Sequence, residues 1–149
     1  MYRSPDLAHV DLGDYLSALV AQLFETYDAS GRGIRRQIDV GIQMAIDQAI
    51  PCGLIVNELV TNALKHAFPQ GRSGEIRVIT RERGARLELA VEDDGVGMDV
   101  DPAGDRDGRS LGLDLVFTLA RQLHADVTVR RERGTSFRFA LPREEHVPA

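Results

Sequence analysis

Tryptophan is absent from this 149-residue chain, and cysteine occurs only once, as Cys52. A lone cysteine cannot form an internal disulfide, and no histidine or asparagine constellation is evident around it. We therefore expect Cys52 to be a small buried hydrophobic residue in a chain from a reducing compartment. An excess of positive charge is also missing, since the formal net charge is −5, and only five phenylalanines and three tyrosines are available for stacking. This composition argues against nucleic-acid binding.

Long apolar runs are missing as well. The longest fall far short of the ~20 residues that cross a bilayer, and residues 1–16 lack the cationic start and apolar core of an export signal. We therefore expect a cytoplasmic chain that does not insert into a membrane. Hydrophobic residues make up 43% and charged residues 28% of the sequence, without low-complexity tracts or fixed-period repeats. Such a chain is predicted to fold as one domain, residues 1–149, with no internal linker.

Hydrophobic periodicity predicts three helices. The first runs from about residue 11 to residue 28 with Asp11 as its N-cap, and the second from about 47 to 67. Pro51 is tolerable in the second helix only in the first turn or at a kink. The third helix is defined by apolar residues at helical spacing, namely Leu115, Val116, Leu119 and Leu123.

Alternation of apolar and polar residues predicts the strands. Residues 35–40 are a weak strand candidate. Two hairpins turn at "RERGAR" and "RERG", and their alternating apolar positions are Ile76/Val78 with Leu87/Leu89/Val91, and Val127/Val129 with Phe137/Phe139/Leu141. Such strands have one face to bury, and three helices are about enough to cover it. The predicted architecture is a two-layer α/β sandwich with the order α-β-α-β-β-loop-α-β-β.

Polar residues interrupt the otherwise apolar second helix. Glu58, Asn62 and His66 stand at i, i+4 and i+8 and form one row, with Lys65 beside it. An isolated row of this kind is usually a solvated helix face. This row, however, is narrow and holds a carboxylate and a carboxamide, whose oxygens are suited to Mg²⁺. A ligand site on this helix is therefore a reasonable hypothesis.

Three further segments combine glycine with polar residues. Asp93 ends a predicted strand and begins an Asp-x-Gly-x-Gly pattern, Gly112 lies at the start of the third helix, and the last segment is Gly134–Thr135. An ordinary turn, a Ser-capped helix and a hairpin would explain each of them alone. A helix start is also a natural anion site. A conventional P-loop and an EF-hand are excluded, because their spacings are not present.

The order of these four motifs resembles the nucleotide-binding domain of the GHKL ATPases. Within that group, "NELVTNALKHAFPQG", "DDGVGM" and "SLGLDLVFTLARQL" look most like the short-lid catalytic domains of bacterial sensor histidine kinases, especially the HWE type and its close relatives. The resemblance extends from about Val10 to Pro142. It implies a GHKL (Bergerat-type) ATP-binding fold, in which three helices cover one face of a mixed sheet.

The resemblance also implies roles for individual residues. Asn62 would ligate the Mg²⁺ held by the ATP phosphates, and Glu58 would be a polarising or basic group beside it. Asp93 would accept a hydrogen bond from the adenine amino group. Further nucleotide contacts are implied for Gly95 and Gly97 beside the adenine ring, Thr135 near the adenine side, Lys65 and His66 facing the phosphates, and Gly112 at the phosphate-binding helix start.

The sequence departs from the family pattern in several places. Asp94 stands where asparagine is commoner, and Ser110 where many relatives have glycine. The segment 98–109 is short and lacks phenylalanine, and we expect it to be a lid that is mobile without nucleotide. The phosphoacceptor histidine and its dimerising helical hairpin are missing, since none of the four histidines has the appropriate helical context. Residues 1–10 are therefore expected to be the exit from that hairpin, and 143–149 a C-terminal tail.

These features favour the ATP-binding catalytic domain of a two-component sensor histidine kinase. It would transfer the γ-phosphate of ATP to a histidine on the parent's dimerisation hairpin, with a response regulator receiver domain as downstream partner. The alternative is a stand-alone anti-sigma-type GHKL kinase that phosphorylates serine or threonine on a small partner. A nucleotide-binding regulatory module without catalysis is a third possibility, against which the presence of both Glu58 and Asn62 argues.

Overall fold

The computed structural model describes residues 9–98 and 111–143. Helices and strands follow one another in an order close to the predicted one. The three helices are α1 (Leu12–Thr26), α2 (Ile46–His66) and α3 (Leu111–Gln122). The strands are β1 (His9–Asp11), β2 (Ile34–Asp39), β3 (Gln43–Ala45), β4 (Gly74–Arg83), β5 (Arg86–Asp93), β6 (Asp126–Arg130) and β7 (Thr135–Pro142).

Five of the strands form one mixed sheet in the order β2-β4-β5-β7-β6. β2 pairs with β4 in parallel, and the other neighbours pair antiparallel. The three helices pack side by side with α2 in the middle, where it contacts both β4 and β5. The predicted two-layer sandwich, with three helices over a mixed sheet, is therefore confirmed.

The core lies between the sheet and the helices, and it takes every second residue of the long strands. The buried strand residues are Ile76, Val78, Leu87, Leu89, Val91, Phe137, Phe139 and Leu141. These are the alternating positions that predicted the two hairpins, which do turn at Gly84 and Gly134. Cys52 is fully buried on α2, and burial raises the pKa of its thiol to about 12. It is a core residue, as the sequence predicted.

The opposite face of the sheet carries charged side chains in place of apolar ones. Glu92 lies between Arg77 and Arg138, at N–O distances of 3.4 and 3.3 Å, and also accepts a hydrogen bond from Ser136 at 2.9 Å. Partly exposed ion pairs of this kind contribute little to stability, about 0–1 kcal/mol each. The charged residues face away from the buried core, which explains why the strands alternate apolar and polar residues.

Two elements differ from the sequence-based prediction. β1 and β3 form a small antiparallel sheet that was not predicted, because three residues are too few to show a period of two. Pro51 lies inside α2 beyond its first turn, so of the two placements that the sequence left open the first turn is excluded. The N-cap prediction is confirmed: the Asp11 side chain accepts the Asp14 backbone N–H at 3.1 Å. None of the helices in the described part of the chain has the length and apolarity to cross a membrane.

Candidate functional site

A cavity of about 230 Å³ opens between α2 and the C-terminal end of β5. Polar groups reach it from different elements: Asn62 and His66 from α2, Asp93 from β5, and Thr135 from the start of β7. Most of the remaining wall is apolar, formed by Leu59, Ala63, Ala67, Val91, Leu113 and Phe137. An apolar cavity with a few convergent polar groups is the usual form of a small-molecule site.

Asp93 is the last residue of β5, and its carboxylate is held by backbone groups. Oδ1 accepts the N–H of Gly95 at 2.9 Å, and the Thr135 backbone, directly opposite in the sheet register, also donates to Asp93. Burial raises the pKa of Asp93, the neighbouring Asp94 charge adds to the rise, and the two backbone hydrogen bonds oppose it. The carboxylate is therefore a partly desolvated acceptor of fixed orientation, suited to a ligand N–H.

The Asp-x-Gly-x-Gly loop lies against the C-terminal end of α2. A Cβ at Gly95 would overlap the backbone carbonyl of Ala67, and that carbonyl accepts the N–H of Val96 at 3.0 Å. Gly97 lines the cavity and has a φ of +80°, which favours glycine. Glycine is thus required at 95 by contact with the protein's own backbone, in addition to any space it leaves for a ligand.

The polar row of α2 contributes only part of its length to the cavity. Asn62 and His66 lie in the wall, whereas half-buried Glu58, one turn before Asn62, and exposed Lys65 do not line the cavity. Lys65 and His66 also occupy the last turn of α2, where positive charge interacts favourably with the helix dipole. The structure therefore brings Asn62 and His66 together with Asp93, and leaves Glu58 and Lys65 at the margin.

The remaining predicted contacts are distributed in the same way. Gly97 and Thr135 line the cavity, whereas Gly95 supports it from behind. Gly112 precedes Leu113, which is in the wall, but Gly112 itself is not. The predicted lid, residues 98–109, lies outside the described residues except for Met98, which lines the cavity. Ser110 is likewise outside them.

Sequence reasoning missed most of the apolar wall. Leu59, Ala63 and Ala67 each follow a residue of the polar row by one position, so they form the neighbouring row, about 100° further round α2. In the sequence they belong to the apolar part of the helix, and a helical period does not distinguish a residue of the core from one that lines a cavity. Glu92 was also missed, whereas Met98 was predicted only as the first residue of the lid. The signal that could have found Leu59 and Ala63 is their adjacency to Glu58 and Asn62.

A metal ion would find few protein ligands at this site. No group of three or more histidine, cysteine, aspartate or glutamate side chains suited to a metal occurs among residues 9–98 and 111–143. Mg²⁺ commonly keeps several waters and takes only one or two protein oxygens, with the rest from substrate phosphates. The carboxamide of Asn62, in the cavity wall, fits a metal bound in that way rather than a metal site built wholly from protein.

Comparison with known proteins places the chain in a family. Residues 47–145 match the family described as histidine kinase-, DNA gyrase B-, and HSP90-like ATPase. The chain belongs to this ATPase family. Within it, the chain is an ATP-binding catalytic domain of the two-component sensor histidine kinase type.

Two curated relatives illustrate the match. The chain is 31% identical over 135 residues to blue-light-activated histidine kinase 2 of Erythrobacter litoralis, covering 89% of this chain and 38% of that protein. It is 38% identical over 116 residues to sensor histidine kinase PdtaS of Mycobacterium tuberculosis, covering 73% of this chain and 22% of that protein. The chain therefore spans about two fifths or less of the length of these relatives.

Solved structures agree with the fold. The histidine kinase domain of the Erythrobacter litoralis EL346 blue-light activated histidine kinase superposes with a TM-score of 0.79 at 27% identity, covering 90% of this chain and 66% of that chain. The mycobacterial sensor histidine kinase MprB superposes with a TM-score of 0.70 at 19% identity, covering 93% and 99% of the two chains. The second likeness supports the fold alone.

Proposed function

We propose that this chain binds Mg-ATP in the cavity beside Asp93 and supplies the catalytic half of a phosphoryl transfer to histidine. The observation that carries the proposal is the position of the Asp93 carboxylate. It is a desolvated, backbone-held acceptor in an apolar cavity, with the carboxamide of Asn62 in the same wall. In the ATPase family to which the chain belongs, the ligand is a purine nucleotide with an exocyclic amino group to donate.

The Asp93 end of the cavity is suited to adenine. An ionised carboxylate accepts hydrogen bonds and donates none, so it selects a base edge that presents an N–H. Apolar side chains such as Val91, Leu113 and Phe137 provide surface against which a ring can be buried. Gly97 and Thr135 complete this end without bulky side chains. We assign the adenine contact to Asp93, with Gly95, Gly97 and Thr135 shaping the space around the ring.

The α2 end is suited to the phosphates and their metal. In the proposal, the Asn62 oxygen ligates the Mg²⁺ that the ATP phosphates carry, and Glu58 polarises the groups beside it. Lys65 and His66 supply positive charge or hydrogen-bond donors toward the phosphates, and the start of α3 at Gly112 supplies backbone N–H groups. Bound Mg²⁺ neutralises charge that develops on the phosphoryl oxygens during transfer.

The phosphate acceptor is proposed to lie on the dimerisation hairpin of the parent kinase, outside this chain. Among the described histidines, His9 is in β1, His66 ends α2, and His124 is in the turn after α3 with a φ of +54°. Transfer requires an acceptor nitrogen in line with the γ-phosphate. His66 lies on the helix that forms the cavity wall, where it can contact the nucleotide but is poorly placed for in-line attack, and His9 and His124 are not in helices. We further propose that a response regulator receiver domain is the downstream partner of the parent kinase, and that this chain is located in the cytoplasm.

The test is a labelling experiment with γ-labelled ATP and Mg²⁺. The isolated chain is incubated alone and with the separately purified hairpin of its parent, and the phosphorylated product is tested for acid lability. We expect acid-labile label on the hairpin and none on this chain. Stable self-labelling of any histidine in the isolated chain, or acid-stable label on a serine or threonine of a partner, would contradict the proposal.

A further inference from the structure

Asp94, the residue after Asp93, contacts two other parts of the chain. Its side-chain Oδ1 accepts the backbone N–H of Glu75 at 2.7 Å, and its own backbone N–H donates to the Glu75 carbonyl at 3.3 Å. Arg72 Nη2 donates to the Asp94 backbone carbonyl at 3.3 Å. Asp94 therefore joins the end of β5 to the start of β4 and to the loop after α2.

The backbone at the start of β4 is shaped for this contact. A Cβ at Gly74 would overlap both Oδ1 of Asp94 and the ring of Phe68. Only glycine at this position lets the carboxylate reach the Glu75 N–H. Asp94 is exposed, yet its carboxylate is turned onto this backbone rather than out to water.

A second attachment holds the other side of the same loop. Val96 donates its N–H to the carbonyl of Ala67 at the end of α2. The loop 93–97 is thus fixed to β4 by Asp94 and to α2 by Val96. Since α2 also carries Asn62 and His66, these two attachments set the position of the Asp93 carboxylate relative to the other wall of the cavity.

We propose that Asp94 is a positioning residue for the nucleotide. By holding the 93–97 loop against β4, it fixes the direction in which the Asp93 carboxylate accepts a hydrogen bond from the ligand. This inference rests on the proposed function. Asp94 acts through an acceptor oxygen, so asparagine, which keeps such an oxygen, should preserve the attachment, whereas alanine should lose it.

The charge of Asp94 provides a second, independent readout. It contributes to the raised pKa of Asp93, and nucleotide binding requires ionised Asp93, so wild-type affinity should fall as the pH falls through that pKa. Asparagine at 94 removes the charge and should move this loss to lower pH. The other ionisable groups in the cavity wall are Glu92 and His66, and Glu75 and Arg72 lie beside Asp94. All four are unchanged in the variant, so a difference from wild type reports on position 94.

The experiment titrates Mg-ADP into four proteins by calorimetry: wild type, Asp94→Ala, Asp94→Asn and a control, Asp39→Ala. Asp39 is an exposed aspartate at the end of β2 on the sheet edge away from the cavity. At neutral pH we expect Asp94→Ala to weaken binding about threefold to tenfold, as for the loss of one hydrogen bond. Asp94→Asn and Asp39→Ala should stay within about twofold of wild type. Thermal unfolding of the unliganded proteins is measured in parallel, and we expect the Asp94→Ala midpoint to fall by no more than the loss of one hydrogen bond accounts for.

The outcomes separate this inference from the function on which it rests. Equal affinity in wild type and Asp94→Ala would overturn the positioning role alone, and so would a loss in Asp94→Ala matched by a large fall in its unfolding midpoint. If Asp94→Ala proves unstable, the Asp94→Asn titration decides. The inference is overturned if Asp94→Asn binds Mg-ADP more weakly than wild type at neutral pH and loses affinity at the same acidic pH as wild type. Failure of wild type to bind Mg-ADP would overturn the proposed function and this inference with it.

Discussion

The two ends of the cavity are built in different ways. At the Asp93 end, backbone N–H groups of Gly95 and Thr135 hold the carboxylate, and Asp94 ties the loop to β4. At the Asn62 end, the candidate side chains all come from the single helix α2, and some of them lie outside the cavity wall. The first end is formed before any ligand arrives, whereas the second depends on groups that the ligand would bring.

This difference indicates how much each end of the cavity should contribute to the free energy of nucleotide binding. A pre-organised acceptor spends little free energy on ordering, so the Asp93 end should supply most of the affinity and the selection of the base. A metal held mainly by phosphates and water adds affinity only when both metal and phosphates are present. Substitutions at the Asp93 end should therefore weaken the binding of every adenine nucleotide, whereas substitution of the proposed metal ligand Asn62 should act only with Mg²⁺.

The largest effect is expected from Asp93→Asn. A hydrogen bond to a charged group contributes about 1.5–3 kcal/mol, and the amide can present a donor toward the adenine amino group. We expect ATP and ADP affinity to fall at least ~10-fold, with or without Mg²⁺. Calorimetry measures the change, with Asp39→Asn as the control at an exposed strand end. Unchanged affinity in Asp93→Asn would contradict the proposed contact between Asp93 and the adenine amino group.

Gly95→Ala should have a somewhat smaller effect on binding and a measurable one on stability. The new methyl group meets the Ala67 carbonyl, so the loop must move away from α2. Overpacking of this kind costs about 1–3 kcal/mol. The matched control is Gly41→Ala, because a Cβ at Gly41 meets nothing within 4 Å. Both unfolding midpoint and ADP affinity should fall in Gly95→Ala alone; equal behaviour of the two variants would show that the loop tolerates displacement.

The α2 end is tested by a pair of substitutions. Asn62→Ala should abolish the part of ATP affinity that depends on Mg²⁺, while affinity measured in a metal chelator stays close to wild type. Glu58→Gln should leave binding nearly unchanged and slow labelling of the hairpin, because a polarising carboxylate acts mainly as charge redistributes in transfer. Titrations with and without Mg²⁺, followed by single-turnover labelling, separate the two. The role division is wrong if Glu58→Gln loses binding as severely as Asn62→Ala.

The smallest effect concerns stability without ligand. The pKa of Asp93 is raised in the folded protein, mainly by burial, so the ionised form is disfavoured there. The contribution of Asp93 to stability is therefore present at low pH and is lost as the pH rises through the folded-state pKa. At neutral pH, Asp93→Asn should make the unliganded protein slightly more stable than wild type. Urea unfolding at neutral pH checks this, and a less stable variant would mean that the carboxylate has a structural role.

Sequence reasoning reached the fold because its main elements are long and periodic. α1 and α2 show the helical period of apolar residues, and both hairpins show the alternation of strands. Asp11 marks the start of α1, and the glycines at 84 and 134 mark the two hairpin turns. The three-residue strands β1 and β3 carry no such signal. Pro51 shows a further limit, since the sequence left two placements open and only the structure shows that this residue lies inside α2 beyond the first turn.

The site was predicted residue by residue only where a motif named the position. Asp93, Gly97, Thr135, Asn62 and His66 do meet in one cavity. The attachment of Asp94 to Glu75 could not be predicted, because it depends on β4 lying beside β5 at that register. For the same reason the contact of Gly95 with Ala67 was not predicted; in the sequence, Gly95 is simply a glycine of a turn.

The most direct test of the central claim is to map the nucleotide on the protein by NMR. Mg-ADP is titrated into the ¹⁵N-labelled chain, and backbone amide shifts are followed. The account predicts that the largest saturable shifts occur at Gly95, Gly97 and Thr135, with smaller shifts at Asn62 and negligible ones on the charged sheet face around Arg77 and Arg138. Saturable shifts confined to that charged face, or no shifts at millimolar ADP, would contradict a nucleotide site beside Asp93.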